Sequence, residues 1–259
     1  MHIVYKKFMK NKKIVLVGSS GTLGSFFLKK FSEDKKIKLI IGADKTSKFK
    51  SKKNFKFYKL DITKADNVNL FFSNIKKKYG IFDCLINTAG YTSEGSKEDR
   101  KNVNDFFDEK NWQKNIDINL NGVFYCIKYF IKHHNKNKNL QKIITIGSIY
   151  GSRSPDHSIY VNEKFFTPIG YSASKFGLNG INTWIASKFG TSKIISNIVS
   201  PGGVEHNLTK KFVNKYNKNV ALGRMCSEED VFNTVNYLLS DKSNYLNGQN
   251  IHVDGGYRI

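Results

Sequence analysis

The sequence is short of proline, cysteine and acid. Three prolines in 259 residues, and no proline- or serine-rich stretch, leave nothing that reads as a linker between domains. No internal repeat is present. Three cysteines, Cys84, Cys126 and Cys226, are an odd number, which excludes a fully paired disulfide framework. Cys84 and Cys126 lie in apolar stretches, so reduced, buried thiols and a cytoplasmic setting are expected. No apolar run approaches a membrane span, and the opening MHIVYKKFMKNKKIVLVG lacks an apolar run of signal-peptide length. Acids number 21 against 43 lysines and arginines, a formal charge of +22. Such a balance can mark a polyanion partner. The lysines are instead scattered with asparagines along the whole chain, as AT-rich codons would produce. No arginine-rich arm, zinc spacing or RNA-binding motif accompanies them. The expectation is solubility and codon bias, with no nucleic acid, membrane or metal partner.

What is present is a regular alternation. Hydrophobic residues make up 39% of the chain and suit a globular protein. Strand-like runs occur at 12–18, 38–44, 54–62, 81–90, 142–148, 193–203 and 248–256. Between them, 22–34, 67–79, 108–132, 170–190 and 228–240 carry helical patterns. Continuous apolar strands alternating with helices predict a parallel sheet covered on both faces. The expected fold class is therefore α/β, a single-domain Rossmann-type doubly wound parallel sheet. The domain should span 12–259 behind an N-terminal extension of residues 1–11. Ligands of such sheets bind at the carboxyl ends of the strands.

Chemistry-bearing residues gather at those ends. GSSGTLG (18–24) follows the first strand and opens the first helix, where glycines let the backbone approach a pyrophosphate and the helix N-terminus supplies N–H donors. Gly18, Ser20, Gly21, Thr22, Leu23 and Gly24 are the candidate phosphate contacts. Asp44 ends the second strand, 20 residues beyond Gly24, and can accept the ribose hydroxyls of a dinucleotide. Asp61 and Ile62 follow the third strand, although Asp61 could equally cap the next helix. Asn87, Ala89 and Gly90 belong to NTAG after the fourth strand. Asn119 sits within a helix, where asparagine costs some propensity. Ser148 ends the fifth strand. Tyr171 and Lys175, four apart in YSASK, share one helix face. Pro201, Gly202 and Val204 lie in or beside SPGG after the sixth strand.

In this order these residues resemble the short-chain dehydrogenase/reductase family, over nearly the whole chain from Gly18 to VDGG at 253–256. The resemblance implies a catalytic tetrad of Asn119, Ser148, Tyr171 and Lys175, with NTAG beside adenine and ribose and SPGG beside nicotinamide. Trp112, seven residues before Asn119, also fits. It implies an oxidoreductase in which Tyr171 exchanges a proton with the substrate oxygen, Ser148 orients that oxygen, Lys175 holds the nicotinamide ribose and Asn119 supports a water. A tyrosine ordinarily loses its proton near pH ~10. A lysine ammonium at roughly 4 Å favours the phenolate by about 4 kcal/mol, or about three pKa units at most. NAD(H) is expected over NADP(H) because Asp44 would repel a 2′-phosphate, with Lys45 and Lys48 able to soften that. Dimers or tetramers are expected through the helices carrying Asn119 and Tyr171. The chain departs from the family twice. Thr22 stands where the commonest glycine motif has its middle glycine. Val204-Glu205-His206 stand where a threonine often follows the Pro-Gly turn.

Ser148 and Tyr171 are 23 residues apart, a long gap filled by SPDHSIYVNEKFF. The extra chain is expected to loop over the site as an insertion (152–168), with 203–226 as a substrate lid. Its polar content, with Arg153, His157 and Tyr160 as candidate substrate contacts beside His206, points to a sugar or sugar-phosphate rather than an acyl chain. Lysines 210, 211 and 215 and Arg224 are candidate phosphate partners. The insertion, SIYG and the LNGQNIHVDGG ending resemble flagellin-modification and surface-polysaccharide oxidoreductases, which are linked to nonulosonic-acid-type sugars. A 3-ketoacyl-carrier-protein reductase and a non-catalytic dinucleotide sensor remain the alternatives.

Overall fold

The computed structural model of the chain describes residues 11–46, 49–92, 106–133, 140–206 and 208–259. The expected N-terminal extension lies, but for Asn11, outside the described residues, as does Lys48. Seven strands form one parallel sheet in the order β3-β2-β1-β4-β5-β6-β7. They are β1 (Lys12–Val17), β2 (Ile37–Asp44), β3 (Phe55–Lys59), β4 (Cys84–Asn87), β5 (Gln141–Ile146), β6 (Ile194–Pro201) and β7 (Asn250–Val253). The central strands are buried on both faces: Ile14, Val15, Leu16, Leu85, Ile86 and Ile143 are fully enclosed. That is why they read as unbroken apolar runs rather than alternations.

Helices cover both sides. α1 (Thr22–Glu33) and α7 (Glu228–Leu239) pack one face, where Phe27 and Phe31 meet Phe232. α2 (Ala65–Tyr79), α4 (Val123–Lys132) and α5 (Ile169–Phe189) cover the other through Phe71, Phe72, Val123, Ile127 and Leu178. The long helix expected at 108–132 is in fact α3 (Glu109–Asn115), a π-helical turn (Ile116–Gly122) and α4. Asn119 stands at the centre of the π turn. A short helix absent from the sequence reading, α6 (Lys210–Asn217), lies between β6 and α7.

The chain reverses its winding between β1 and β4, and the turns after these strands touch. A side chain at Gly18 would overlap the Ala89 backbone, and its φ of +82° suits glycine. A Cβ at Gly24 would overlap the Gly18 carbonyl, so α1 can approach the turn only as glycine. Thr88 fastens the junction, its hydroxyl donating to Val17 O at 2.8 Å. The crevice at this switch point is where an open parallel sheet offers its ligand site.

Candidate active site

Two cavities run end to end along the carboxyl edge of the sheet, sharing Gly21, Thr88 and Gly90. The first, about 410 Å³, is built from turns: Gly18, Ser20, Asp44, Ile62, Ala89 and Tyr91 line it. The second, about 320 Å³, holds Ser148, Tyr171 and Lys175 on one side and Pro201, Gly202, Val204 and His206 on the other, with Thr22 and Leu23 at the junction.

The first cavity fits the adenosine half of a dinucleotide. Asp44 accepts hydrogen bonds from the backbone N–H of Ser20 (2.9 Å) and Lys45 (2.7 Å), which fixes the carboxylate at the cavity wall. Two oxygens with about four lone pairs leave acceptor capacity for ribose hydroxyls. The N-terminus of α1 has Gly21 at its cap and no side-chain cap, so its N–H donors remain for an anion.

Asp61 is oriented otherwise. Its carboxylate accepts from Thr63 N (3.0 Å) and Thr63 Oγ1 (2.7 Å) and pairs with Lys45 at 3.1 Å. Burial opposes its ionisation, but Thr63 and Lys45 outweigh that and hold the carboxyl below its usual value. It serves as a turn-former ahead of α2 and does not line the cavity. Asn87 is likewise drawn inward: it is 1% exposed, donates to Thr145 Oγ1 at 3.3 Å, and ties β4 to β5. It lines neither cavity.

Three of the four expected tetrad residues, Ser148, Tyr171 and Lys175, line the second cavity; Asn119 is fully buried and lines neither cavity. α5 follows Pro168, its N-cap in extended conformation, and delivers Tyr171 and then Lys175 one turn later. Lys175 is buried; its Nζ donates to Ile146 O at 3.0 Å and lies 5.7 Å from the Tyr171 ring centre. Burial pushes its amine down to about 8. Ser148 caps a short 3₁₀ turn (Ile149–Gly151), its oxygen accepting from Tyr150 N at 3.1 Å, so its own O–H can point to a ligand. Asn119 grips the Tyr91 backbone from both sides, accepting from its N–H at 2.7 Å and donating to its carbonyl at 3.0 Å. It also reaches Ser174 on α5 at 3.2 Å. A Cβ placed on Gly90 would be 3.8 Å from both Asn119 Oδ1 and Lys175 Nζ, so the two groups face one small space.

The insertion differs from its expected character. It folds around a 3₁₀ turn (His157–Tyr160), and its apolar residues point inward. Ile159 and Tyr160 are buried, and Phe165 and Phe166 pack with Tyr150, Phe212, Tyr216, Met225 and Tyr257 into a third core. Its polar residues serve as anchors. Arg153 donates to Tyr257 O and pairs with Asp254 at 3.8 Å, and His157 is exposed; neither lines either of the two cavities. Asp156 meets Arg258 at 3.5 Å and Asn219 at 3.0 Å. The expected phosphate partners are also occupied or turned away. Lys215 donates to Val161 O at 2.6 Å, Arg224 forms a two-pronged pair with Asp230 at 2.7 and 3.0 Å, and Lys210 and Lys211 are exposed away from the cavity. Tyr160 does line the cavity, its hydroxyl linked to Tyr150 OH (3.3 Å) and Thr167 Oγ1 (2.7 Å). Tyr150, Thr167, Phe212 and Tyr216 are wall residues that the sequence reading missed; the four-residue spacing of Phe212 and Tyr216 was the available signal.

Comparison with known proteins agrees with this geometry. A family model described as enoyl-(acyl carrier protein) reductase matches residues 40–258. The chain is 35% identical over 259 residues to the 3-oxoacyl-[acyl-carrier-protein] reductase FabG of Buchnera aphidicola subsp. Schizaphis graminum, covering 96% of this chain and 98% of that one. It is 27% identical over 262 residues to the post-translational flagellin modification protein A of Campylobacter coli, covering 97% and 100%. A crystal structure of a short chain dehydrogenase from Leptospira borgpetersenii with bound NAD+ superposes with a TM-score of 0.86 at 26% identity, covering 100% of this chain and 98% of that one. With the reversed-winding sheet and its strand-end cleft, these matches make the chain a member of the short-chain dehydrogenase/reductase family, an NAD(P)-dependent oxidoreductase.

Proposed function

We propose that the chain interconverts a secondary hydroxyl and a ketone on a compact, hydroxylated substrate of sugar type, using NAD(H) in preference to NADP(H). The cofactor, when bound, supplies or accepts the hydride. Tyr171 gives the proton to, or takes it from, the substrate oxygen, and Ser148 donates a hydrogen bond to the same atom. The charge on Lys175 eases formation of the phenolate, and its remaining N–H groups hold the cofactor's ribose. Asn119 fixes the Gly90–Tyr91 turn and, with Lys175, faces the space where a water can relay protons. Asp44 accepts the adenosine ribose hydroxyls. In this reading residues 152–168 and 203–226 together form the substrate lid.

One observation carries the substrate class: tyrosines and a threonine share the cavity lining with Ser148. Tyr150, Tyr160, Thr167 and Tyr216 all border the cavity, and the first three form a linked hydroxyl chain. Rings that pack against C–H faces, beside convergent hydroxyls, suit a polyhydroxylated ring. Among the described lining residues the basic side chains are Lys175 and His206. Full-length similarity to the flagellin modification protein supports the same reading.

A second reading has its own support. Ile149, Val204, Leu208 and Met225 make part of the wall apolar, and the FabG relative is the more similar in sequence. It would make the substrate a 3-oxoacyl thioester. The test is a side-by-side assay of hydroxylated sugars with NAD+ and an acetoacetyl thioester with NADH and NADPH, using wild type and Tyr171→Phe. Sugar turnover that disappears in the variant supports the proposal; a thioester turned over a hundredfold better overturns it. Phe124, Phe176 and Trp184 remain exposed on α4 and α5, which supports assembly of copies through these helices; sedimentation of the purified protein as a monomer would contradict that. No described helix is long and apolar enough to cross a membrane.

A further inference from the structure

The third core shares a wall with the second cavity, and one of its side chains holds the turn after β6. The Gly203 N–H, in the turn after β6, donates to the Tyr216 hydroxyl of α6 at 2.6 Å. Pro201, Gly202 and Gly203 line the cavity that holds Tyr171 and Lys175, and so does Tyr216 itself. The turn is shaped around this ring. A Cβ on Gly203 would lie 3.0 Å from Tyr216 Cζ, and one on Gly202 would lie 3.2 Å from the hydroxyl oxygen. The ring is backed in turn by Tyr257, stacked at 4.8 Å and 29°. Tyr216 is 3% exposed and Tyr257 is fully buried.

Tyr257 belongs to a segment that stitches the lid together. Arg258 N donates to Asn219 O at 2.8 Å, Leu222 N to Gly255 O at 3.0 Å, and Arg153 of the insertion to Tyr257 O. The insertion, α6 and the residues after β7 thus pack as one body, with the Tyr216 hydroxyl as its side-chain contact on the Gly203 backbone.

We infer that Tyr216 is a positioning residue for the nicotinamide end of the cofactor: it holds the 201–203 turn in shape from the lid side, so the substrate lid and the cofactor pocket are set together. This rests on the assignment of the nicotinamide half to the Tyr171–Lys175 cavity. A phenylalanine keeps the ring and its stack on Tyr257 but leaves the Gly203 N–H without its acceptor.

The test is titration of the whole protein with NADH and with ADP-ribose, which lacks nicotinamide, for wild type, Tyr216→Phe and Lys175→Met. Tyr216→Phe should weaken NADH by about tenfold, the scale of one neutral hydrogen bond. ADP-ribose affinity should stay close to wild type, the unfolding midpoint should fall only modestly for the one unpaired N–H, and KM for NADH should rise more than kcat falls. A purely structural role would weaken both ligands together, and that result, or wild-type NADH affinity in Tyr216→Phe, overturns the inference. If Lys175→Met also leaves NADH affinity untouched, the placement of the nicotinamide falls and the inference with it.

Discussion

Two buried lysines, one beside the second cavity and one in the sheet, differ in what their burial leaves over. Lys142 on β5 and Lys175 on α5 are 3% and 5% exposed, and burial pushes each amine down to about 8. Their partners differ. Lys142 Nζ donates to Leu238 O (2.9 Å), Ser240 O (2.5 Å) and Ser243 Oγ (3.0 Å), which uses all three of its N–H groups and caps the C-terminal end of α7. Lys175 spends one N–H on Ile146 O and turns toward a cavity. Burial alone therefore does not separate the two; the hydrogen-bonding capacity left over does, and it makes Lys175 the one proposed to meet a ligand.

The largest expected effect is on the cavity side. Lys175→Met should lower turnover by about 10²–10⁴-fold and weaken NADH binding, because it removes both the charge beside Tyr171 and the donors facing the ligand. Its unfolding midpoint should be unchanged or raised, since a buried amine with unspent donors costs stability. Lys142→Met should do the reverse. It leaves Leu238 O, Ser240 O and Ser243 Oγ without the lysine, at a cost of about 1–3 kcal/mol. Thermal unfolding should show the loss, with kcat little changed. A stability loss in Lys175→Met equal to that in Lys142→Met would dissolve the distinction.

Titration sharpens the same contrast. Below about pH 8 Lys175 is charged, and it loses that charge as pH rises, so NADH affinity should fall through a midpoint at or somewhat above 8. Bound cofactor favours the charged form and moves the midpoint upward. Lys175→Met should flatten this profile. Lys142 should leave NADH binding alone and be visible in stability. Its folded pKa is depressed below the ordinary ~10.4, so between about pH 8 and that value the unfolded chain binds a proton that the folded chain has released. Stability from this group rises with pH across that window, and the gap between wild type and Lys142→Met should widen there. Denaturant titrations at pH 8 and near 10 measure it.

The same distinction explains what the sequence revealed. Lys175 was legible because YSASK binds it to Tyr171 at helix spacing, and the glycines at 18 and 24 were legible because two backbones meet there. Apolar runs revealed the sheet because its strands are covered on both faces. Lys142 carried no signal: a lysine at the start of a strand looks the same whether it meets water or three acceptors. Lys215 and Arg224 looked free for a phosphate because their partners, Val161 O and Asp230, become neighbours only on folding or across a turn. SPDHSIYVNEKFF defeated both periods for a related reason. Its inward residues, Ile159, Tyr160, Phe165 and Phe166, fall on a 3₁₀ turn and irregular chain, where neither 2 nor 3.6 applies. Reading that segment as a polar cover therefore reversed its faces.

Asp44 and Asp61 repeat the comparison with the opposite sign of charge, and on a smaller scale. Asp44 keeps acceptor capacity at the wall of the 410 Å³ cavity, whereas Asp61 is occupied by Thr63 and Lys45. Asp44→Ala should reduce the preference for NAD(H) over NADP(H), measured as a ratio of kcat/KM values, by about tenfold to a hundredfold, because a carboxylate near a 2′-phosphate repels it by about 1–4 kcal/mol. Asp61→Asn should act indirectly and less. It keeps a side-chain acceptor for Thr63 but loosens Lys45, which lines the same cavity and is then free to meet a phosphate. A shift of about two- to fivefold toward NADP(H) is expected, on the scale of an exposed ion pair. A larger effect from Asp61→Asn than from Asp44→Ala would mean that the occupied carboxylate, and not the one with acceptors to spare, selects the cofactor.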